Sequence, residues 1–148
     1  MVTEQSIGEN VAALLRSDDD IAAQLSRLLS KPNNDAPVVL HLVFDQVTSL
    51  SSVLGRIQTG FGNKSTTSAS FPAEVAVYLQ NVLRHCQTTL AHLQTAVRRF
   101  TAYEEGGLFA RMWKVWRSSF AERGLEKILR SLEAHRAALN FTLLLIDR

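Results

Sequence analysis

The sequence predicts an all-α protein, an antiparallel bundle of four to six helices. Apolar residues recur three and four positions apart along most of its 148 residues, and no segment shows the strict alternation of a half-buried strand. With 46% apolar and 20% charged residues, the chain is too apolar for intrinsic disorder and long enough to bury one core. We therefore expect one helical domain over residues 1–148.

The N-terminal segment, residues 1–34, has two short stretches of helical spacing separated by an acidic run. Ser17 or Asp18 could cap a second helix, because a side-chain oxygen there can accept the free N–H groups of the first turn. Acidic residues also suit the positive end of a helix. The segment is thus predicted to form either two short helices or one helix kinked at Ser17–Asp20, and Asp18–Asp20 are interpreted as capping residues rather than a cation site.

Three longer helices are predicted over residues 36–59, 72–103 and 120–147. Each carries an apolar stripe at helical spacing, and Cys86 belongs to the stripe of the second. Between the first two lies a polar stretch rich in Gly, Ser and Thr, which predicts a flexible loop over residues 60–71.

A short basic helix is predicted over residues 108–118. Tryptophans interleaved with cations are typical of helices at a membrane interface and of surfaces on which nucleic-acid bases stack. The alternative is that Trp113 and Trp116 pack into the bundle and leave the cations exposed, because both share a helix face with Phe109 and Phe120. The last interpretation is favoured.

The sequence contains no grouping of residues with recognisable catalytic or metal-binding spacing. His85 and His92 share a helix face but lie about 10.5 Å apart along its axis, too far to bind one zinc ion. The run from Gly60 to Thr66 lacks the glycine before lysine that a phosphate-binding loop requires. We therefore predict a protein that is not an enzyme and uses no cofactor.

Charge is distributed unevenly along the chain. Residues 1–83 hold five Lys/Arg and eight Asp/Glu, whereas residues 84–148 hold eleven and six. A basic C-terminal half suits an acidic protein partner or an anionic membrane; nucleic acid is not favoured, since no DNA-binding motif is recognisable. The candidate membrane or partner surface consists of Arg98, Arg99, Arg111, Trp113, Lys114, Trp116 and Arg117.

The single cysteine excludes a disulfide scaffold and favours a reducing compartment. The N-terminus lacks the basic and apolar regions of a signal peptide, and no uninterrupted apolar run approaches the length of about 20 residues that spans a bilayer. We expect a cytoplasmic protein that could be recruited to the plasma membrane.

Two blocks of the sequence resemble a known family. The run from Asp35-Ala36-Pro37 through VTSLSSVLGRIQ and the block RMWKVWRSSFAERGLEKILRSLEAHRAALNFTLLLI resemble the fungal N-terminal domains of STAND (NLR-like) proteins, the HeLo-like group. The resemblance covers residues 35–148. Its features in the second block are Trp113 and Lys114 in a short basic helix, followed by Ile128, Leu129, Leu132, His135, Leu139 and Leu143.

The resemblance implies a helical bundle placed ahead of a nucleotide-binding oligomerisation module in an immune-type receptor. Relatives execute or relay programmed cell death, some by inserting an apolar N-terminal helix into the membrane. This chain departs from that pattern, because residues 7–30 carry six charged side chains. Each charge deep in hydrocarbon costs about 2.5–3.5 kcal/mol, which disfavours a spanning helix and favours a signalling or adaptor role through self- or partner association.

Overall fold

Four long helices make up the described part of the protein. The computed structural model describes residues 4–30, 38–64, 72–105 and 121–146. The helices are α1 (Glu4–Leu29), α2 (Val38–Lys64), α3 (Ala73–Glu105) and α4 (Ala121–Ile146), packed against one another in a bundle. The predicted fold class is confirmed, and the three longer helices agree with their predicted bounds to within about five residues.

The helices form a ring in which each contacts two neighbours. Helix α1 packs against α2 and α3, and α4 packs against the same two helices. Within the described helices, the diagonal pairs α1/α4 and α2/α3 make no contact. The order around the bundle is therefore α1, α2, α4, α3, and the connection from α2 to α3 joins diagonally opposed helices.

Neighbouring helices are alternately antiparallel and parallel around this ring. Tyr78 near the start of α3 contacts Phe141 near the end of α4, so these two helices are antiparallel. Asn10 near the start of α1 is bonded to Gln80 near the start of α3, so this pair is parallel. Helices α1 and α2 are antiparallel, because the short link between them cannot span the roughly 40 Å length of α2. It follows that α2 and α4 are parallel.

The core runs along the axis of the bundle and receives apolar side chains from all four helices. The buried stripe of each helix repeats at three- and four-residue spacing, as in other helical bundles. Cys86 is fully buried among these residues, as its place on the apolar stripe predicted. The largest fully buried side chains are Ile7, Ile21, Leu25, Leu28, Leu40, Leu50, Leu54, Ile57, Leu79, Leu83, Leu93 and Leu132.

Of the two predicted alternatives for the N-terminal segment, two short helices separated at Ser17–Asp20 is wrong. Helix α1 continues through these residues without interruption. Asp18 is not a cap at a helix end; it lies in the interior of the bundle, and its Oδ2 is hydrogen-bonded to the Ser51 hydroxyl of α2. A partner 33 residues away in the chain satisfies one carboxylate oxygen, so the polar residue can remain inside a helix.

The predicted loop over residues 60–71 begins too early. Helix α2 extends to Lys64, so its last turn includes Gly60 and Gly62. A glycine costs about 1 kcal/mol in a helix but does not forbid one. Its low helix propensity is overridden when the preceding turns of the helix are packed in a core. The remainder of the predicted loop, residues 65–71, lies outside the described residues. The description resumes at Pro72.

One helix among the described residues is long and apolar enough to cross a membrane by length and composition, namely Val38–Gly60 of α2. This segment contains no long uninterrupted apolar run, because Asp45, Gln46 and other polar residues divide it. In the bundle, Leu40, Leu50 and Leu54 of this segment are fully buried against the other helices.

Candidate interaction surface

Two residues of the predicted basic surface lie on the described helices. Arg98 and Arg99 are both exposed near the C-terminal end of α3. The other five residues of that prediction lie outside the described residues, and so does the predicted short helix over residues 108–118. The structure thus places two adjacent cations on the surface just before the chain enters its most basic segment.

A second exposed surface is apolar and was missed by the sequence analysis. The rings of Tyr78 on α3 and Phe141 on α4 meet edge to face, with centroids 6.3 Å apart and an interplanar angle of 85°. Phe141 is 53% exposed and Tyr78 is 40% exposed. Leu144, three residues after Phe141, is 68% exposed, and Val77, next to Tyr78, is 50% exposed. We call these four residues the aromatic edge.

The aromatic edge lies at the end of the bundle opposite to Arg98 and Arg99. It combines the first turns of α3 with the last turns of α4, and these antiparallel helices bring those turns together. A signal for it was present in the sequence, because Tyr78 and Phe141 fall outside the apolar stripes that contain Leu79 and Leu139. Large apolar side chains off the core stripe indicate a surface that contacts something other than the core.

The parallel seam between α1 and α3 is lined by uncharged polar side chains at seven-residue intervals. Asn10 Nδ2 donates to Gln80 Oε1 at 3.2 Å and closes the seam near the start of both helices. Farther along, the seam opens into a groove of about 610 Å³, at whose end Arg98 lies. The polar positions of the two helices are Asn10, Ser17 and Gln24 on α1, and Gln80, Gln87 and Gln94 on α3.

A buried acidic group lies at the middle of the bundle. Asp18 on α1 is 0% exposed, and burial raises the pKa of its carboxyl group to about 7. The Ser51 hydrogen bond acts against this rise in pKa, and the charge of Asp19 adds to it. On α3, burial raises the pKa of the Cys86 thiol to about 12, and the Asp18 charge adds to that rise. The Asp18 carboxyl group and the Cys86 thiol therefore interact electrostatically.

The histidine of the family resemblance has a structural partner. His135 on α4 lies with Nε2 at 2.8 Å from Thr89 Oγ1 on α3. Burial lowers the pKa of His135, and electrostatic repulsion from His85 lowers it further. His135 is half-buried, so this contact links α3 and α4 at the edge of the core.

The described residues contain no group of three or more His, Cys, Asp or Glu side chains that could hold a metal ion. His85 and His92 are both exposed on α3, and His41 is exposed on α2. The features that remain as candidates for function are thus surfaces and one buried acidic group.

No family model matches this chain, and no curated protein or solved structure matches it either. The fold and the surfaces described above are therefore the observations from which a function can be argued.

Proposed function

We propose that this bundle is a non-enzymatic signalling domain of the cell-death type, acting by association of its helices with a second copy or with a protein partner. The aromatic edge carries the proposal. Four large apolar side chains from two adjacent helices are exposed at one end of the bundle. Exposed aromatic rings are the side chains that protein interfaces most often bury at their centres.

The charge distribution supports association over catalysis. The chain offers an exposed cationic pair at one end of α3 and an apolar surface at the other, which is an arrangement that can fix the orientation of a partner. The resemblance to the fungal HeLo-like group supports the more specific proposal that the domain relays a signal from an immune-like receptor in the cytoplasm. That assignment rests on the resemblance alone.

The experiment measures self-association of the full chain by sedimentation velocity over a concentration series. We expect a concentration-dependent shift that is lost in the double variant Phe141→Ser/Leu144→Ser. The matched control is Leu42→Ser, which removes an exposed leucine at the opposite end of the bundle and should associate like the wild type. Equal behaviour of both variants would show that the aromatic edge is not the contact surface.

A second experiment tests signalling. The chain is fused to a drug-inducible dimeriser and expressed in yeast, and viability is followed after clustering. We expect clustering to reduce viability in the wild type and in Leu42→Ser but not in the Phe141/Leu144 variant. A chain that is monomeric at all concentrations and without effect when clustered would overturn the proposal.

The alternative is a peripheral membrane-binding effector, which the exposed pair Arg98 and Arg99 favours. Each cation near an anionic surface contributes about 1 kcal/mol, so the pair and the basic segment after it could hold the domain on lipid. Co-sedimentation with phosphatidylserine vesicles at low salt should be lost in Arg98→Ala/Arg99→Ala and retained in Arg56→Ala/Arg84→Ala, which removes the same charge elsewhere. Wild-type protein that stays in solution at low salt would exclude this alternative.

A further inference from the structure

The Ser51 hydroxyl lies between two carboxyl groups. Its Oγ is 2.5 Å from Asp18 Oδ2 and 2.6 Å from Asp19 Oδ1. Asp18 and Asp19 belong to α1 and Ser51 to α2, so these contacts join the two antiparallel helices at their midpoints.

The number of protons limits how these contacts can be made. A serine hydroxyl carries one proton and can donate only one hydrogen bond, while its oxygen can accept others. Two ionised carboxylates would leave one of the two contacts without a hydrogen and place two negative oxygens around one donor. Both contacts are satisfied when Asp18 is protonated and donates to Ser51, and Ser51 donates to the exposed carboxylate of Asp19.

The surroundings of Asp18 favour the protonated form. Asp18 is fully buried, and its other oxygen, Oδ1, is buried without a hydrogen-bond partner. Among the described residues, the Ser51 hydroxyl of α2 bonds to Asp18, the Asp18 charge acts on the Cys86 thiol of α3, and the nearby charge on its own helix is that of Asp19. A buried carboxylate with an unpaired oxygen is costly, whereas the neutral acid leaves only a carbonyl oxygen unpaired.

We propose that Asp18 is a proton-controlled latch between α1 and α2: protonated, it bonds the two helices through Ser51, and ionised, it drives α1 to open from the bundle. The latch goes beyond the proposed function and does not depend on it. It gives the bundle a conformational response to proton concentration through a residue buried in the seam that joins its first two helices.

The direction of the response follows from the pKa. Because the pKa of Asp18 is raised from 3.8 to about 7 in the fold, the contribution of this group to stability is complete below pH 3.8 and is lost as the pH rises through about 7. Opening of α1 should therefore become easier by roughly tenfold for each pH unit between about 5 and 7, and should level off above that range.

Cys86 provides a reporter of opening. It is the only cysteine of the chain, it is fully buried, and it interacts with Asp18, so a thiol reagent reaches it only when the bundle opens. The experiment measures the rate at which 4,4′-dithiodipyridine modifies Cys86 from pH 5 to 8.5, divided by the rate for the same chain unfolded in urea. This ratio removes the intrinsic pH dependence of the reagent.

Three variants separate the latch from a general effect of charge. Asp18→Asn keeps a donor to Ser51 and has no proton to lose, so its ratio should stay constant with pH while that of the wild type rises. Asp20→Asn removes an exposed charge two positions away on the same helix and should behave like the wild type. Ser51→Ala removes the bridge and should open faster than the wild type already at pH 5.

The latch is overturned if the wild-type ratio is constant with pH, or if Asp18→Asn shows the same rise as the wild type. It is also overturned if 5 mM CaCl₂ or MgCl₂ slows labelling of the wild type at pH 8 and leaves Asp18→Asn unchanged. That result would assign the two carboxylates to a cation instead of a proton. A constant ratio in Asp18→Asn with a rising ratio in the wild type and in Asp20→Asn supports the latch.

Discussion

Thr89 and His135 are joined by a hydrogen bond whose direction the surrounding atoms determine. Thr89 Oγ1 lies 3.1 Å from the His85 carbonyl oxygen and 2.8 Å from His135 Nε2. The hydroxyl has one proton, and the carbonyl oxygen can only accept. Both bonds are made when Thr89 donates to His85 and His135 Nε2–H donates to Thr89, which assigns the proton of the neutral ring to Nε2.

Burial of His135 predicts a loss of stability at acidic pH. The pKa of His135 is lowered from 6.5, so its contribution is present above pH 6.5 and is lost as the pH falls through the lower folded value. His135→Gln keeps an N–H donor and cannot be protonated. We would measure the free energy of unfolding in urea at pH 7.5 and pH 5. Between these pH values the wild type should lose more stability than His135→Gln. An unchanged difference between the two pH values would contradict the lowered pKa of His135, and comparing the two proteins cancels the opposite effect of Asp18.

The centre of α2 should be sensitive to truncation. Leu54 is fully buried, so Leu54→Ala removes apolar contacts and leaves a cavity that typically costs 2–5 kcal/mol. Leu42→Ala on the same helix removes a side chain that is 45% exposed and should cost under about 1 kcal/mol. Chemical denaturation of both variants gives the comparison, and equal costs would mean that α2 does not pack as described.

Gly55 is a position where the protein can be stabilised. It lies in the interior of α2, and a methyl group added there would meet no atom within 4 Å beyond the adjacent residues and the backbone of its own helix. Alanine has a higher helix propensity than glycine by about 1 kcal/mol and restricts the unfolded chain. Gly55→Ala should therefore raise the free energy of unfolding by about 0.5–1 kcal/mol, measured by urea denaturation. A destabilised variant would show that another group occupies this space.

The two rings of the aromatic edge should be energetically coupled. An edge-to-face pair contributes about 0.5–1.5 kcal/mol beyond the area it buries. A double-mutant cycle of Tyr78→Ala and Phe141→Ala should give a coupling energy of that size in the free energy of unfolding. Because both rings are partly exposed, each single variant should remain folded, so the same proteins can be used in the association experiment. Additive effects would place the two rings out of contact in solution.

The helical stripes were sufficient to predict the fold, because burial of one face of each long helix dominates its stability. The stripes around Leu79 and Leu132 gave helix bounds close to those observed. Cys86 was placed correctly in the core for the same reason. Periodicity carries this information locally, so no knowledge of the neighbouring helices was needed.

The acidic run of α1 could not be interpreted in this way. Ser17 and Asp18 have the residue types of a helix start, which outweighed the seven-residue spacing of Leu14 and Ile21 across them, and the Ser51 hydroxyl that bonds to Asp18 lies on another helix. The aromatic edge was missed for a related reason, because exposure of Tyr78 and Phe141 depends on how α3 and α4 pack. Local spacing indicates that Tyr78 and Phe141 lie off the core stripes, but long-range pairing decides which side chains meet, both for the two rings and for Asp18 and Ser51.

The order of the helices around the ring has a consequence for how the chain folds. The antiparallel pairs α1/α2 and α3/α4 are two helical hairpins, each made from helices that follow one another in sequence. The parallel seams α1/α3 and α2/α4 join residues about 70 or more positions apart, so they cost more loop-closure entropy and should form later. The chain is therefore expected to assemble as two hairpins that dock side by side, and both the Asn10–Gln80 bond and the groove beyond it belong to the docking step.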